Sequence, residues 1–326
     1  MIKLKENLFN RILAFTIIFV SAISAINAVD KNNDNLRLLY WNIQNGMWSD
    51  QGNNYDNFVK WVKEYDPDVC VWCEAQTIYE DGTSKSRDKN DRYLTDNWGE
   101  LASRYGHKYW TKSGHRDNYP QVITSKYPIE KILDILGEEP DSIVTHGACR
   151  ASIEVNGKHI NIVTLHTWPQ AFAYRAEDRE ASKAEHGGDK YRRMEMEYIC
   201  THTILTEPDA ENQYWMMMGD FNSQSPKDNW VYKHPEGDTR LITQEYILRN
   251  TPYIDIISER YPGEFHSTTA WNSRIDFVYC TKPLYDIITN AYVVNDDYTK
   301  DPKRDEVTGF HFPSDHLPIL VDFNVK

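Results

Sequence analysis

The chain has 326 residues, of which 40% are hydrophobic, 26% charged and 13% aromatic, enough apolar content for a large buried core and too much for a chain that is mainly disordered. Its 14 prolines and 15 glycines exclude a collagen-like or linker-dominated architecture. A net charge of −13 repels polyanions at long range, so action on a phosphate calls for a metal ion or a local basic patch.

Lys3, Lys5 and Arg11 precede an apolar run from Ile12 to Val20 that continues to Ala28. The run is shorter than the roughly 20 apolar residues of a spanning helix and ends in small residues. Residues 1–28 are therefore expected to be a signal peptide, with cleavage near Ala28, export to the periplasm or the outside, and one domain over 29–326. Leu36 to Ile43 reads as a strand, and Tyr55, Phe58, Val59, Val62 and Tyr65 recur at helical spacing before Pro67. Val69 to Glu74 and Gln121 to Thr124 read as further strands, and Arg150–Val155 and Lys158–Leu165 as a hairpin turning on Asn156-Gly157. Tyr191, Met194, Tyr198 and Leu205 are expected on one helical face, followed by strands at Tyr214–Met218, Arg274–Cys280 and Leu317–Phe323. The five cysteines cannot all pair within one chain. Cys70 and Cys73 sit three apart on a strand, with Cα atoms about 10 Å apart and side chains on opposite faces, so core packing is expected rather than a disulfide or zinc site.

Polar residues stand at the ends of these apolar runs: Asn42, Glu74, His166, Asp220, Asp276, and the group Ser314-Asp315-His316 before the last strand. Any one of them alone is an ordinary turn or cap residue. Together, from the ends of neighbouring strands, they can converge on one cleft.

Their order is that of a known family. Tyr40-Trp41-Asn42-Ile43, Pro67-Asp68-Val69 through Glu74, Ile123 to Ile129, Val163-Thr164-Leu165-His166, Met218 to Ser223, Arg274-Ile275-Asp276-Phe277-Val278 and Ser314 to Ile319 resemble the endonuclease/exonuclease/phosphatase superfamily, with its deoxyribonuclease I-like fold. The resemblance implies an α+β fold, in which two packed mixed β-sheets form a sandwich flanked by helices. It also implies a metal-dependent attack of water on a phosphate ester. Gln44 departs from several nuclease members, which carry a charged residue there. Leu165-His166-Thr167-Trp168 replaces the tyrosine motif of the abasic-site nucleases, so His166 resembles the deoxyribonuclease I, sphingomyelinase and phosphatase branches more.

Residue chemistry supports the same roles. Mg²⁺ or Mn²⁺ needs oxygen ligands, for which Glu74 is the natural first choice, with Asn42 assisting and Asp315 either a second contact or an orienting group. His166 and Asn222 are expected to donate to phosphate oxygens, His166 best when protonated. If the segment stays extended, Asp220 and Asn222 point to the same side. Asp276 with His316 makes an acid/base couple, leaving either Asp220 or His316 as the base. Arg274 is expected to neutralise Asp276 or bind phosphate.

The expected function is thus an exported phosphoesterase, with phosphodiester cleavage preferred and phosphomonoester or lipid/inositol-phosphate hydrolysis as alternatives. A catalytically silent binding module would not need the whole set. The expected substrate is a nucleic acid, phospholipid headgroup or sugar phosphate; no stable protein partner is implied, and a monomer is expected. Trp110, Trp168, Trp230, Trp271, Phe310 and Phe312 are expected in loops around the cleft, and Gln170 to Arg193 as a solvated helix face rather than a substrate-gripping loop.

Overall fold

In the computed structural model the described residues are 34–80, 83, 85–93, 96–114, 119–136 and 143–326. The expected signal peptide lies outside them. The chain divides between Asn35 and Leu36, and Leu36–Lys326 forms one unit. Among the described residues no helix is long and apolar enough to cross a membrane.

In chain order the strands are β1 (Asn35–Asn42), β2 (Val69–Cys73), β3 (Tyr109–Ser113), β4 (Gln121–Ser125), β5 (Ile129–Ile135), β6 (Ala148–Val155) and β7 (Lys158–His166). They continue as β8 (Tyr214–Asp220), β9 (Ile254–Asp255), β10 (Asp276–Cys280), β11 (Ile288–Val293), β12 (Lys303–Arg304), β13 (His311–Phe312) and β14 (Ile319–Asn324). The main helices are α1 (Asp56–Tyr65), α2 (Asp96–Arg104), α3 (Gly187–Thr201) and α4 (Ile242–Asn250). Two six-stranded sheets run β11-β14-β1-β2-β4-β3 and β5-β6-β7-β8-β10-β9, and β12 pairs with β13 as a separate ribbon. Both sheets are mixed: β1 pairs parallel with β2 and β7 parallel with β8, while β2–β4 and β8–β10 are antiparallel. A parallel pair needs a long crossover. α1 lies in the first of these crossovers and α3 in the second.

Strand alternation decides what faces what. Leu38, Tyr40, Val71 and Cys73 meet Cys149, Ile162, Met216, Met218 and Val278 in the core between the sheets. Their neighbours Leu39, Trp41, Cys70 and Trp72 turn the other way, against Phe58, Trp61 and Val62 of α1 and Trp98 of α2. Val163, Leu165, Trp215, Met217 and Phe277 pack against α3 and α4 in the same manner. Burial on both faces makes these strands apolar throughout. Cys70 and Cys73 thus belong to opposite faces of one strand, and all five cysteines are buried free thiols. The hairpin turns as expected on Asn156 and Gly157, both at positive φ, between the paired Val155 and Lys158.

The expected helical face is corrected. α3 buries Arg192, Glu195, Met196, Ile199 and Cys200, while Met194 is half exposed and Leu205 lies beyond the helix. Three of its buried positions, Asp189, Arg192 and Glu195, are charged, so apolar periodicity alone misplaced the face. The stretch from Gln170 onward is a loop, a short helix at Arg179–Ala184, and the start of α3. Its end is anchored, since Arg192 donates to the carbonyls of Trp168 (2.9 Å) and Gln170 (3.1 Å).

Candidate active site

Register gathers the strand-end residues. His166 of β7 pairs with Asp220 of β8, Asp220 pairs with Asp276 of β10, and Asn42 ends β1 beside Cys73, one residue before Glu74. Asn42 then joins the two sheets, its Nδ2 donating to Glu74 Oε1 (3.3 Å) and Asp220 Oδ2 (3.2 Å). Asp220 Oδ2 lies 3.7 Å from His166 Nε2 and 3.8 Å from His316 Nε2. Behind His316, its Nδ1 is 2.7 Å from Asp276 Oδ2, and the Tyr40 hydroxyl donates to Asp276 Oδ1 at 2.7 Å. Trp41 Nε1 donates to the His316 carbonyl (2.8 Å) and Ser314 Oγ to the Asn42 carbonyl (2.7 Å), fixing the last segment on β1.

Glu74 is held by unusual backbone. Gln44, Asn45, Gly46 and Glu74 all have positive φ, a conformation that costs free energy at non-glycine positions and concentrates at functional sites. A Cβ at Gly46 would stand 2.8 Å from the Thr77 nitrogen, so only glycine fits there. In return the Gly46 N–H donates to the Glu74 carbonyl (2.6 Å) and the Asn45 N–H to Glu74 Oε2 (3.1 Å).

Electrostatics follow from burial and crowding. Burial raises the Glu74 pKa, and Asp315 adds to the rise. Burial, then Asp276, push Asp220 up to about 8 against the pull of His316. Burial would lower His316, yet Asp276, Asp315 and Asp220 hold it well above its ordinary value. His166 goes the other way: burial, then the neighbouring His146, lower it far below the usual range. Burial thus disfavours the protonated form, in which His166 would donate best.

Other expectations also change. Asn222 has φ of 46° and β8 ends at Asp220, so the segment does not stay extended. The Asn222 N–H donates to Asp220 Oδ1 (2.9 Å) and its Nδ2 to the Thr167 carbonyl (3.1 Å), which places it beside His166 by a turn. Asn42 meets Glu74 through its amide nitrogen, while its Oδ1 accepts from the Gln44 N–H (3.1 Å), so it ties Glu74 to the end of β1. Arg274 is 2% exposed and engaged elsewhere: it donates to both oxygens of Asp255 (2.9 and 2.8 Å) and to Asp228 (2.7 Å). Neither a phosphate contact nor neutralisation of Asp276 fits that placement. Asp315 Oδ1 lies 3.9 Å from His316 Nε2.

Of the aromatic residues, Trp271 stands edge-on to His316 with ring centres 5.7 Å apart, and Trp168 flanks His146. Phe310 walls a cavity of about 250 Å³ that also reaches Asn45, Glu74, Tyr119, His146 and His166. Trp110 packs against the outer core beneath α2, away from the cleft. Trp230 and Phe312 are exposed.

Sequence reasoning missed Asn45, His146 and Glu195. His146 stacks on His166 at 4.3 Å. Glu195, fully buried on α3, accepts from the Thr145 N–H (2.9 Å), the Thr145 hydroxyl (2.7 Å) and the Trp168 N–H (2.8 Å), so it ties together the segments that carry the two imidazoles. Nothing in local spacing announces either contact.

The sequence profile of the Endonuclease/Exonuclease/phosphatase family matches residues 39–316. The chain belongs to that family. Comparison with curated protein sequences gives no match. Among solved structures, the fold is similar to an AP endonuclease from Archaeoglobus fulgidus (18% identity, TM-score 0.58, 89% of this chain and 100% of that one). It is also similar to an endonuclease/exonuclease/phosphatase from Beutenbergia cavernae DSM 12333 (15%, 0.57, 90% and 72%). A third is a mannosyl-6-phosphatase from Bacteroides thetaiotaomicron VPI-5482 (13%, 0.54, 88% and 98%). At these identities the likeness is one of fold, and the fold class expected from the sequence is the one found.

The donor set of this family member fits a divalent cation. Among the described residues, the charged groups that most shift Glu74 and Asp220 are other carboxylates and His316, with no lysine or arginine. Such a buried excess of carboxylate is costly unless a cation or protons offset it. Asp220, Asp276 and His316 also have potential ligand atoms within 4.8 Å of one another. The close Asp276–His316 hydrogen bond turns two of those atoms toward each other, which suits proton handling better than ligation.

Proposed function

We propose that the protein is an exported, divalent-metal-dependent phosphoesterase that cleaves phosphodiesters by activated water. The observation that carries this reading is the position of Asp220 Oδ2 between His166 Nε2 and His316 Nε2, with Glu74 joined to it through Asn42. Glu74 and Asp315 would hold Mg²⁺ or Mn²⁺, which supplies positive charge against the phosphate and its developing oxyanion. His166 and Asn222 donate to non-bridging oxygens. Asp220 orients the attacking water and takes its proton as the water oxygen bonds to phosphorus. The phosphorus–oxygen bond to the alcohol breaks, and the alcohol leaves with a proton from solvent. Asp276 and Tyr40 fix His316 so that its Nε2 faces the phosphate.

Export rests on the basic and apolar pattern of residues 3–28. Both parts have direct tests. Plasmid DNA, RNA, sphingomyelin, inositol phosphates and bis-(4-nitrophenyl) phosphate are each assayed with Mg²⁺ or Mn²⁺ and with excess chelator. Metal-dependent cleavage of a diester is expected, and turnover undiminished by chelator contradicts the mechanism. N-terminal sequencing of protein from the native host should begin near Val29, whereas an intact Met1 refutes export by cleavage.

A further inference from the structure

The carbonyl of Thr167 and the N–H of Trp168 belong to one planar peptide unit, and its two ends meet different side chains. The N–H donates to Glu195 Oε2 (2.8 Å), and the carbonyl accepts from Asn222 Nδ2 (3.1 Å). In a trans peptide these two groups point in opposite directions, so Glu195, the peptide and Asn222 form one continuous chain of hydrogen bonds with aligned dipoles. Each bond of such a chain polarises the next. The carboxylate at one end is fully buried on α3, and the amide at the other end stands beside His166 and Asp220.

The chain decides how Asn222 is turned. A carbonyl only accepts, so the amide nitrogen of Asn222 and not its oxygen must face Thr167. One N–H of that nitrogen is taken by Thr167, and the second remains as a donor for a phosphate oxygen. The peptide is itself held from α3. Arg192, three residues before Glu195, donates to the carbonyls of Trp168 (2.9 Å) and Gln170 (3.1 Å), and the Gly188 N–H donates to the Ala171 carbonyl (3.0 Å). A Cβ at Gly188 would stand 2.1 Å from the Gln170 carbonyl oxygen, so the loop lies against the helix at a distance that only glycine allows. Glu195 also accepts through Oε1 from the Thr145 N–H (2.9 Å) and hydroxyl (2.7 Å), a branch that does not pass through Trp168.

We propose that Glu195 is a positioning residue for catalysis: through the Thr167–Trp168 peptide it holds the Asn222 amide in the orientation that donates to the phosphate. The inference rests on phosphoester hydrolysis with Asn222 as a phosphate donor, and it gives a carboxylate that touches no substrate a part in the rate. Glutamine cannot take its place. The backbone N–H groups of Thr145 and Trp168 meet different oxygens of Glu195, and an amide has one oxygen and one NH₂, so one of the two N–H groups is left facing a donor.

The test compares three variants, Glu195→Gln, Thr145→Val and Asn222→Ala, with bis-(4-nitrophenyl) phosphate and Mg²⁺ above the pH of about 7 to which burial raises the Glu195 carboxyl. Glu195→Gln should lower kcat about tenfold and leave KM within about twofold, since a displaced donor is felt in the transition state. Thr145→Val removes a hydrogen bond from Oε1 but keeps the Trp168 link, so kcat should stay within about twofold while the urea midpoint falls. In the Asn222→Ala background Glu195→Gln should cost less than about threefold more, because the chain no longer ends in a donor. A reading free of turnover is the side-chain amide signal of Asn222 in the ¹H–¹⁵N spectrum, assigned by its loss in Asn222→Ala. It should shift in Glu195→Gln and stay in place in Thr145→Val. Equal kcat losses in Glu195→Gln and Thr145→Val, a full tenfold loss in the Asn222→Ala background, or an unmoved Asn222 signal in Glu195→Gln overturns the positioning role. A slow Asn222→Ala beside a normal Glu195→Gln does so too and leaves phosphoester hydrolysis standing. Wild-type turnover in Asn222→Ala, or no turnover by the wild-type protein, overturns the roles of both residues.

Discussion

Asp220 and Asp276 face each other as direct partners across the antiparallel β8–β10 pair, both buried at the same edge of the sheet. Like charges opposite one another destabilise a strand pair. Here they are bridged by His316, whose Nδ1 is 2.7 Å from Asp276 and whose Nε2 is 3.8 Å from Asp220. Tyr40 supports the first carboxylate, and Asn42 and the Asn222 N–H the second. The sheet therefore carries a local electrostatic cost at the place where a base and its orienting couple are needed.

Replacing one of the pair separates stability from chemistry. Asp220→Asn removes the repulsion but also the proton acceptor, so kcat should fall about a hundredfold or more, while the urea midpoint stays level or rises. Both are measurable on one preparation with bis-(4-nitrophenyl) phosphate as substrate. Normal turnover with a lowered midpoint would make the pair structural.

Much of this site was legible because a strand end is visible in sequence as an apolar run closing on a polar residue. Asn42, Glu74, His166 and Asp220 were found that way, Asp276 and His316 as parts of the segments Arg274-Ile275-Asp276-Phe277 and Ser314-Asp315-His316, and sheet register brings Asn42, His166, Asp220 and Asp276 to one edge. What was not legible depends on contacts remote in sequence or on backbone conformation. Arg274 meets Asp228 and Asp255, 46 and 19 residues away. The left-handed turn at Asn222 and the α3 carboxylate of Glu195 leave no periodic trace.

Glu74 tests the metal. Glu74→Gln keeps the size and the contact with Asn42 but removes a negative ligand, so half-maximal activity should require at least about tenfold more Mg²⁺. A metal titration of the rate reads this directly. An unchanged requirement would place the ion on another residue, with the Asp220, Asp276 and His316 group the next candidate.

Glu195 gives a pH dependence with a definite sign. Burial raises its carboxyl to about 7 in the folded protein, against about 4.3 in an unfolded chain. Between those values the native state holds the proton more tightly. Its stabilising contribution is thus complete below about pH 4.3 and is lost as pH rises to the folded value near 7. The urea midpoint should fall between pH 5 and pH 8, and Glu195→Gln should flatten that fall. Parallel curves for the two proteins would assign the slope to other groups.

Arg274 separates a structural cation from a phosphate ligand. Its guanidinium is enclosed by Asp228 and Asp255, which are themselves only 3% and 1% exposed. Arg274→Met leaves two buried carboxylates without their partner, and breaking such an arrangement typically costs about 3–5 kcal/mol. The urea midpoint should drop accordingly, and adding Asp228→Asn and Asp255→Asn should restore a large part of the loss by removing the unpaired charges. KM should stay near the wild-type value in the fraction that folds, since no oxygen of the substrate reaches this group. A residue that bound phosphate would show the opposite pattern, a raised KM with little change in midpoint, and finding it would return Arg274 to the active site.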